Sequence, residues 1–177
     1  YVYHQMKTKT DDSRAEPGEI PLRYGSGEAE IVRVRTLGED GEEKDTFTCG
    51  EAVCVQIEYQ ATERFKPINF FVTVTNDQDV RLCGTDFRKA RFDGLDHIEG
   101  EGYVCCHLNS VPFRPGVYFL IVGIEVEGRV LDRKGRVGAF TIKPDPREGY
   151  FPPGRYGLFD VDSSWTVDCL GAEVCAR

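Results

Sequence analysis

Apolar and polar residues alternate along several short stretches of the chain, and this period of two most restricts its fold. Successive side chains of a β-strand point to opposite faces, so such alternation predicts strands with one buried face. The clearest stretches are residues 53–60, 68–75, 104–108, 118–126 and 140–142, with weaker ones at 31–37 and 80–83. No helical stripe of convincing length occurs, so the chain is predicted to be all-β.

Turn signals separate these stretches at regular intervals. They lie at residues 39–41, 76–77, 115–116, 127–128 and 134–135. About seven short strands spaced by turns are typical of an immunoglobulin-like antiparallel β-sandwich. Residues 114–118 (RPGVY) also resemble the turn and tyrosine that open the sixth strand of such folds.

The two longest stretches predict which residues face outward. Their even-numbered residues are assigned to the core, because a slip of one residue would expose the whole apolar series. The outward set on these neighbouring strands includes Asn69, Phe71, Thr73, Phe119 and Ile121. Aromatic faces beside short polar groups suit a sugar. The alternative is that a second chain or the C-terminal segment covers this patch.

The length of 177 residues fits one domain with flanking segments. Residues 1–23 are predicted to be a linker, 24–167 the sandwich, and 168–177 a loose tail. The chain starts at Tyr1, and its single methionine is Met6. We therefore expect it to be a piece of a longer protein.

Charge and cysteine usage narrow the partners and the setting. A net charge of −8 argues against nucleic acid, which is bound mostly by neutralising phosphates. No apolar run reaches the ~18 residues of a membrane-spanning helix, and no signal-peptide pattern opens the chain. The seven cysteines are odd in number, and Cys105 and Cys106 are neighbours. Packed thiols in a reducing, cytoplasmic compartment are favoured over a disulfide framework.

No motif predicts catalysis or a cofactor. A P-loop, a Gly-x-Ser-x-Gly elbow and a His-Glu-x-x-His pair are all missing. Cys105 and His107 could approach each other on one strand face, and with Cys83 and His97 they could form a zinc site. Without a Cys-x-x-Cys knuckle, ordinary thiols are favoured.

A charged stretch at residues 86–101 has two interpretations. The first is a solvated loop of mixed charge. The second is that Arg88, Lys89 or Arg91 binds an anionic group on a ligand. Both arginines are therefore added to the candidate binding residues.

Several short motifs occur in an order and spacing that resembles one known family. They are residues 23–31 (RYGSGEAEI), 47–51 (FTCGE), 57–61 (IEYQA), 83–86 (CGTD) and 113–118 (FRPGVY). With an end near Trp165, the resemblance covers about residues 22–167. The chain resembles the C-terminal carbohydrate-binding domain of Wzt-type ATP-binding proteins, which belong to ABC transporters that export O-antigen polysaccharide.

This resemblance implies an immunoglobulin-like sandwich that works in the cytoplasm. Family members dimerise, in some cases by exchanging a C-terminal strand, which gives the segment from Tyr150 to Trp165 a role in a homodimer. In members that cap their glycan, the domain recognises the modified non-reducing end and licenses the chain for export. An ATPase domain would precede Tyr1 and link the full-length protein to the membrane subunit of the transporter.

The sequence therefore predicts a non-catalytic domain that recognises the O-antigen polysaccharide. One alternative is a dimerisation or scaffold domain that does not touch the glycan. Another is a carbohydrate-active enzyme built on a sandwich. Because the ligand residues of the family vary with the glycan, the site prediction rests on the outward patch itself.

Overall fold

The computed structural model describes residues 23–144 together with Gly157 and Phe159. In this part of the chain the elements are β1 (Arg23–Tyr24), β2 (Ala29–Leu37), β3 (Thr46–Thr48), β4 (Val53–Phe65), β5 (Ile68–Thr75), β6 (Arg81–Asp86), α1 (Phe87–Ala90), β7 (Ile98–Leu108), β8 (Gly116–Val126) and β9 (Arg129–Lys143). The predicted strands are confirmed; β1, β3 and α1 are too short to show a periodicity. The rest of the predicted linker, the predicted tail and most of the segment 150–165 lie outside the described residues.

The strands form two sheets that pack face to face. The first, sheet A, has the order β1-β9-β8-β5-β6, and β3 pairs with β9 in parallel. The second, sheet B, has the order β2-β4-β7. The other pairings are antiparallel. The immunoglobulin-like sandwich predicted from the strand pattern is consistent with this arrangement.

The core lies between the sheets and is built from the alternating residues. On β5 and β8 the even-numbered residues are buried, as predicted: Phe70 and Val72 are 3% exposed, and Leu120 and Ile124 are fully buried. A two-residue turn at Glu127 and Gly128, both with positive φ, joins β8 to β9. This geometry matches the right-handed twist of a hairpin.

A tyrosine corner fixes the start of β8. The Tyr118 hydroxyl donates to the Arg114 carbonyl at 2.6 Å. Its ring lies 4.8 Å from that of Phe113 and 5.7 Å from that of Phe140. The predicted role of residues 114–118 is thereby confirmed, and this corner sets where the outward residues of β8 begin.

Side chains of β9 join the two sheets at a bulge in β2. The register of β2 against β4 shifts between Ile31 and Arg33, which leaves the Ile31 backbone available. The buried Asp132 carboxylate accepts the Ile31 N–H at 2.8 Å, and the Lys134 ammonium donates to the Ile31 carbonyl. The backbone N–H and C=O of the buried Ile31 on sheet B are therefore both hydrogen-bonded by side chains of sheet A.

One predicted turn and one predicted side-chain position are wrong. Residues 134–135 do not form a turn but lie inside β9, where the register against β8 shifts. Cys54, expected on the exposed face of its strand, is only 8% exposed, because it lies in register between Leu37 and His107. Cys105 and Cys106 do point to opposite faces, since Cys105 is exposed whereas Cys106 packs against the core.

Candidate functional site

The five outward residues predicted on β5 and β8 lie on one face of adjacent strands. Thr73 pairs with Ile121, and Asn69 and Phe71 pair with Glu125 and Gly123. Phe119 lies two residues before Ile121 on β8, opposite Thr75. The structure therefore brings Asn69, Phe71, Thr73, Phe119 and Ile121 together on one face.

This face is less exposed than the alternation suggests. Phe71, Thr73 and Phe119 are half-buried, whereas Asn69 is 7% and Ile121 only 2% exposed. Ile121 lies opposite the extra residues of β9, because Leu120 pairs with Gly138 while Val122 pairs with Lys134. The bulge on the neighbouring strand therefore explains the burial of Ile121.

One register row crosses all five antiparallel strands of sheet A and forms the centre of the candidate site. Tyr24 pairs with Arg133, Arg133 with Gly123, Gly123 with Phe71, and Phe71 with Asp86. We call these five residues the cross-sheet row. They place aromatic, cationic and acidic groups side by side on the outer face.

The glycine in this row gives the Phe71 ring its place. A Cβ atom at Gly123 would come within 2.2 Å of Cζ of Phe71, so the ring lies directly over the glycine. Any larger residue at this position would push the ring away. Gly123 is thus the part of the row that lets an aromatic face lie across the sheet.

The sequence analysis did not identify Arg133 as a site residue, nor Tyr24, with which it pairs in the row. Its guanidinium lies 5.1 Å from the centre of the Tyr24 ring, and the residue is only 5% exposed. Burial lowers the pKa of the Arg133 guanidinium, an effect that Tyr24 opposes and Arg81 adds to. The row thus places a cation against the Tyr24 ring, two strands away from Phe71.

A charged cluster flanks the row at the end of β6. Arg88 in α1 donates to the Glu125 carboxylate at 3.1 Å, and the Asn69 amide donates to the same oxygen at 3.3 Å. The Asn69 carbonyl oxygen is buried and has no partner in the described residues. The structure thus joins Arg88 to the predicted face.

Arg91 is placed differently. It forms the left-handed C-cap of α1, where its N–H bonds to the Arg88 and Phe87 carbonyls. Within residues 23–144, no hydrogen bond or ion pair joins its side chain to the face. Its predicted role in binding an anion is therefore separate from the cross-sheet row.

A second aromatic–cation pair lies further along the face. The Arg136 guanidinium sits 4.3 Å from the centre of the Phe119 ring and binds Asp79 at 2.9 Å. Arg136 has a φ of 50° inside the β9 bulge. The bulge therefore turns this arginine onto the outer face, which alternation alone does not show.

The Cys–His pair and the zinc site considered from the sequence do not form among the described residues. Across residues 23–144, no three His, Cys, Asp or Glu side chains form a group that could hold a metal ion. The Cys105 thiol accepts a hydrogen bond from the Gln56 amide at 3.8 Å. Among residues 23–144, no hydrogen bond joins Cys105 to His107. The described part also contains no helix both long and apolar enough to cross a membrane.

Fold and face together define an immunoglobulin-like sandwich with an aromatic and charged outer sheet. Residues 21–161 match the family model of the Wzt C-terminal domain, so the chain belongs to this family. The domain is thus of the kind found in O-antigen ABC transporters, and the family is that of a C-terminal rather than a catalytic domain.

Two solved structures illustrate the comparison. The crystal structure of the C-terminal domain of Wzt is 18% identical and matches with a TM-score of 0.69, over 86% of this chain and 93% of that chain. At this identity the likeness shows the fold. An AA10 LPMO from Photorhabdus luminescens is 15% identical over 62% of this chain and 63% of that one, and its TM-score of 0.34 bears on neither fold nor activity. Among curated proteins, none matches the chain in sequence.

Proposed function

We propose that the chain is a non-catalytic carbohydrate-binding domain that recognises the non-reducing end of an O-antigen polysaccharide and so selects it for export. The cross-sheet row carries this proposal, because it places the Phe71 ring over Gly123 between Arg133 and Asp86. A sugar ring packs its C–H groups on an aromatic face, and its hydroxyls need donors and acceptors close by. Membership of the Wzt C-terminal domain family supports the transporter context.

The flanking cluster supplies those donors and acceptors. Glu125 is shared between Arg88 and Asn69, and the side chain of Arg88 is 67% exposed. Recognition at this site would therefore combine stacking on Phe71 with hydrogen bonds at one end of the row.

Calorimetric titration of the 177-residue chain tests the proposal. The ligand is the organism's own O-polysaccharide, with its end modified in one preparation and unmodified in the other. Saturable binding that requires the end group supports terminus recognition, whereas equal binding of both forms indicates that the repeating chain is bound. Absence of binding to either form refutes glycan recognition. Unchanged glycan after long incubation distinguishes a binding domain from an enzyme.

A variant of the ring separates recognition from a purely structural role of the face. Phe71→Ala should weaken polysaccharide binding about tenfold, because the aromatic contact is lost. Val32→Ala, at a 60% exposed position on β2, is the control and should bind normally. The oligomeric state of each variant is measured by light scattering. A Phe71→Ala protein that becomes monomeric would favour the scaffold alternative.

We also propose that the chain forms a homodimer through the segment 150–165 by strand exchange, on the cytoplasmic side of the transporter's membrane subunit. Four free thiols among the described residues, those of Cys54, Cys83, Cys105 and Cys106, support a reducing compartment. Within the segment, Phe159 forms a bridge with Phe113 and lies 5.9 Å from its ring. Two weak sites in one dimer would gain from effective concentration when both engage the glycan. A chain that scatters light as a monomer at all concentrations would refute the dimer.

A further inference from the structure

A cavity of about 430 Å³ opens between the edge strands β6 and β7, away from the outer face of sheet A. Its floor consists of core residues of the inner strands, namely Ile57, Phe70 and Val72. None of the seven predicted binding residues lines it. A cavity of this size accommodates a small ligand.

A chain of aromatic rings leads from the core to the mouth of this edge cavity. The Phe70 ring lies 5.5 Å from that of Phe87, which lies 4.7 Å from that of Phe92. Phe92 is 50% exposed, and Tyr103 on β7 is 65% exposed. The mouth therefore presents aromatic faces to an incoming ring, and single exposed aromatics of this size are suited to stacking.

The polar side chains of the cavity are confined to the edge strands and the start of α1. Thr85 and Asp86 end β6, and Cys105 and His107 lie on β7. The floor contains only aliphatic and aromatic side chains. A ligand hydroxyl could find a partner at the mouth, but one carried to the floor would lose its hydrogen bonds to water without replacement.

We propose that the edge cavity is a second carbohydrate subsite that accepts a 6-deoxyhexose, with its methyl group against the floor and its ring at Tyr103. The inference rests on the proposed function, since it takes the ligand to be a glycan. Asp86 connects the two sites, because it ends the cross-sheet row and also lines the cavity. A polysaccharide end lying along the row can thus place a neighbouring sugar in the cavity.

Matched sugars provide the direct test. The ¹⁵N-labelled 177-residue chain is titrated with L-rhamnose and L-mannose, and then with L-fucose and L-galactose, because each pair differs only in the hydroxyl on C6. The 6-deoxy sugar of each pair should bind about tenfold to a hundredfold more tightly, with amide shifts at Thr85 and Val104. Equal affinity within both pairs, binding of no sugar, or shifts confined to the cross-sheet row would overturn the proposal.

Variants in the wall locate the preference. Val104→Thr keeps the side-chain shape and adds a hydroxyl inside, so it should narrow the preference for the 6-deoxy sugar several-fold. Tyr103→Ala should weaken all four sugars, whereas Tyr103→Phe retains the ring and the binding. Val32→Ala is again the control. An unchanged preference in Val104→Thr contradicts the placement of the methyl group.

These results are separable from the test of the proposed function. If the O-polysaccharide binds and Phe71→Ala weakens it while the matched sugars are not distinguished, only the cavity proposal fails. If the matched sugars are distinguished but no form of the polysaccharide binds, only the export function fails.

Discussion

Removing the Asp132 carboxylate should destabilise the domain more than removing any surface charge. The residue is 1% exposed and accepts the N–H of Ile31, itself buried on the other sheet. Replacement by alanine removes a hydrogen bond to a charged group, worth ~1.5–3 kcal/mol, and leaves a buried N–H unpaired. The ion pair with Arg23 adds little, because that arginine is 52% exposed.

We expect Asp132→Ala to lower the free energy of unfolding by about 2–4 kcal/mol, and the melting temperature by roughly 5–15 °C. Asp132→Asn keeps an oxygen that can accept from Ile31 and loses mainly the Arg23 pair. The free energy of unfolding of Asp132→Asn should therefore fall by only ~1 kcal/mol.

Urea denaturation followed by circular dichroism, at one fixed protein concentration, measures these changes. Asp93→Ala, at an exposed position after α1, serves as the matched control and should stay within ~0.5 kcal/mol of the unmodified chain. If Asp132→Ala also stays within that range, the bond between the sheets is not stabilising. If Asp132→Asn and Asp132→Ala lower the free energy of unfolding equally, the reasoning about the Ile31 N–H is wrong.

Three further predictions concern the corner, the row and a buried thiol. Tyr118→Phe should cost about 1–1.5 kcal/mol in urea denaturation, because the part-buried hydrogen bond from the Tyr118 hydroxyl to the Arg114 carbonyl is lost, and a change near zero would contradict this. Gly123→Ala should displace the Phe71 ring and weaken polysaccharide binding about tenfold. Gly138→Ala is the control and should bind normally, because its Cβ would meet its nearest neighbour at an ordinary 3.5 Å. Equal binding by the two variants would refute the role of Gly123. Burial raises the pKa of Cys106 from its ordinary 9.0 to about 11, so the unfolded chain ionises first and stability falls as pH rises from 9 towards 11. Cys106→Val should lose less stability over that range by urea midpoints, and identical losses would count against the effect.

Alternation was sufficient to predict the faces of β5 and β8. Each strand carries an unbroken apolar series on one side, and a single register satisfies both series. Burial of Phe70 on one strand and Leu120 on the other follows directly from this pattern. The tyrosine corner could also be predicted, because its motif is local in sequence.

The cross-sheet row could only be predicted in part. Phe71 could be predicted from the alternation in its own strand. Its neighbours in the row are brought next to it by the pairing of strands that are distant in sequence. Tyr24 and Arg133 are more than a hundred residues apart and meet through β1 and β9. Neither β1, with two residues, nor the bulge in β9 leaves a periodic signal in the sequence.

The edge cavity was not predictable, for a related reason. It depends on where two sheets end and on a one-turn helix that projects Phe87 and the following loop across the gap. The same residues read as a solvated loop of mixed charge when taken alone. Tertiary placement, rather than local composition, decides that aromatic side chains of this loop line a cavity.

The parallel pairing of β3 with β9 has a mechanical consequence. Thr46 pairs with Thr141 and Thr48 with Lys143, so the two strands run in the same direction. Tension transmitted from the N-terminal side enters β3 at Thr46, while tension from the C-terminal side enters β9 at Lys143. These points lie at opposite ends of the pair, so the hydrogen bonds are loaded together in shear rather than opened one after another. Because β1 pairs with β9 and β2 with β4 ahead of β3, a pull on the chain ends reaches this three-residue ladder once those pairings have opened, and the ladder then resists it as a unit.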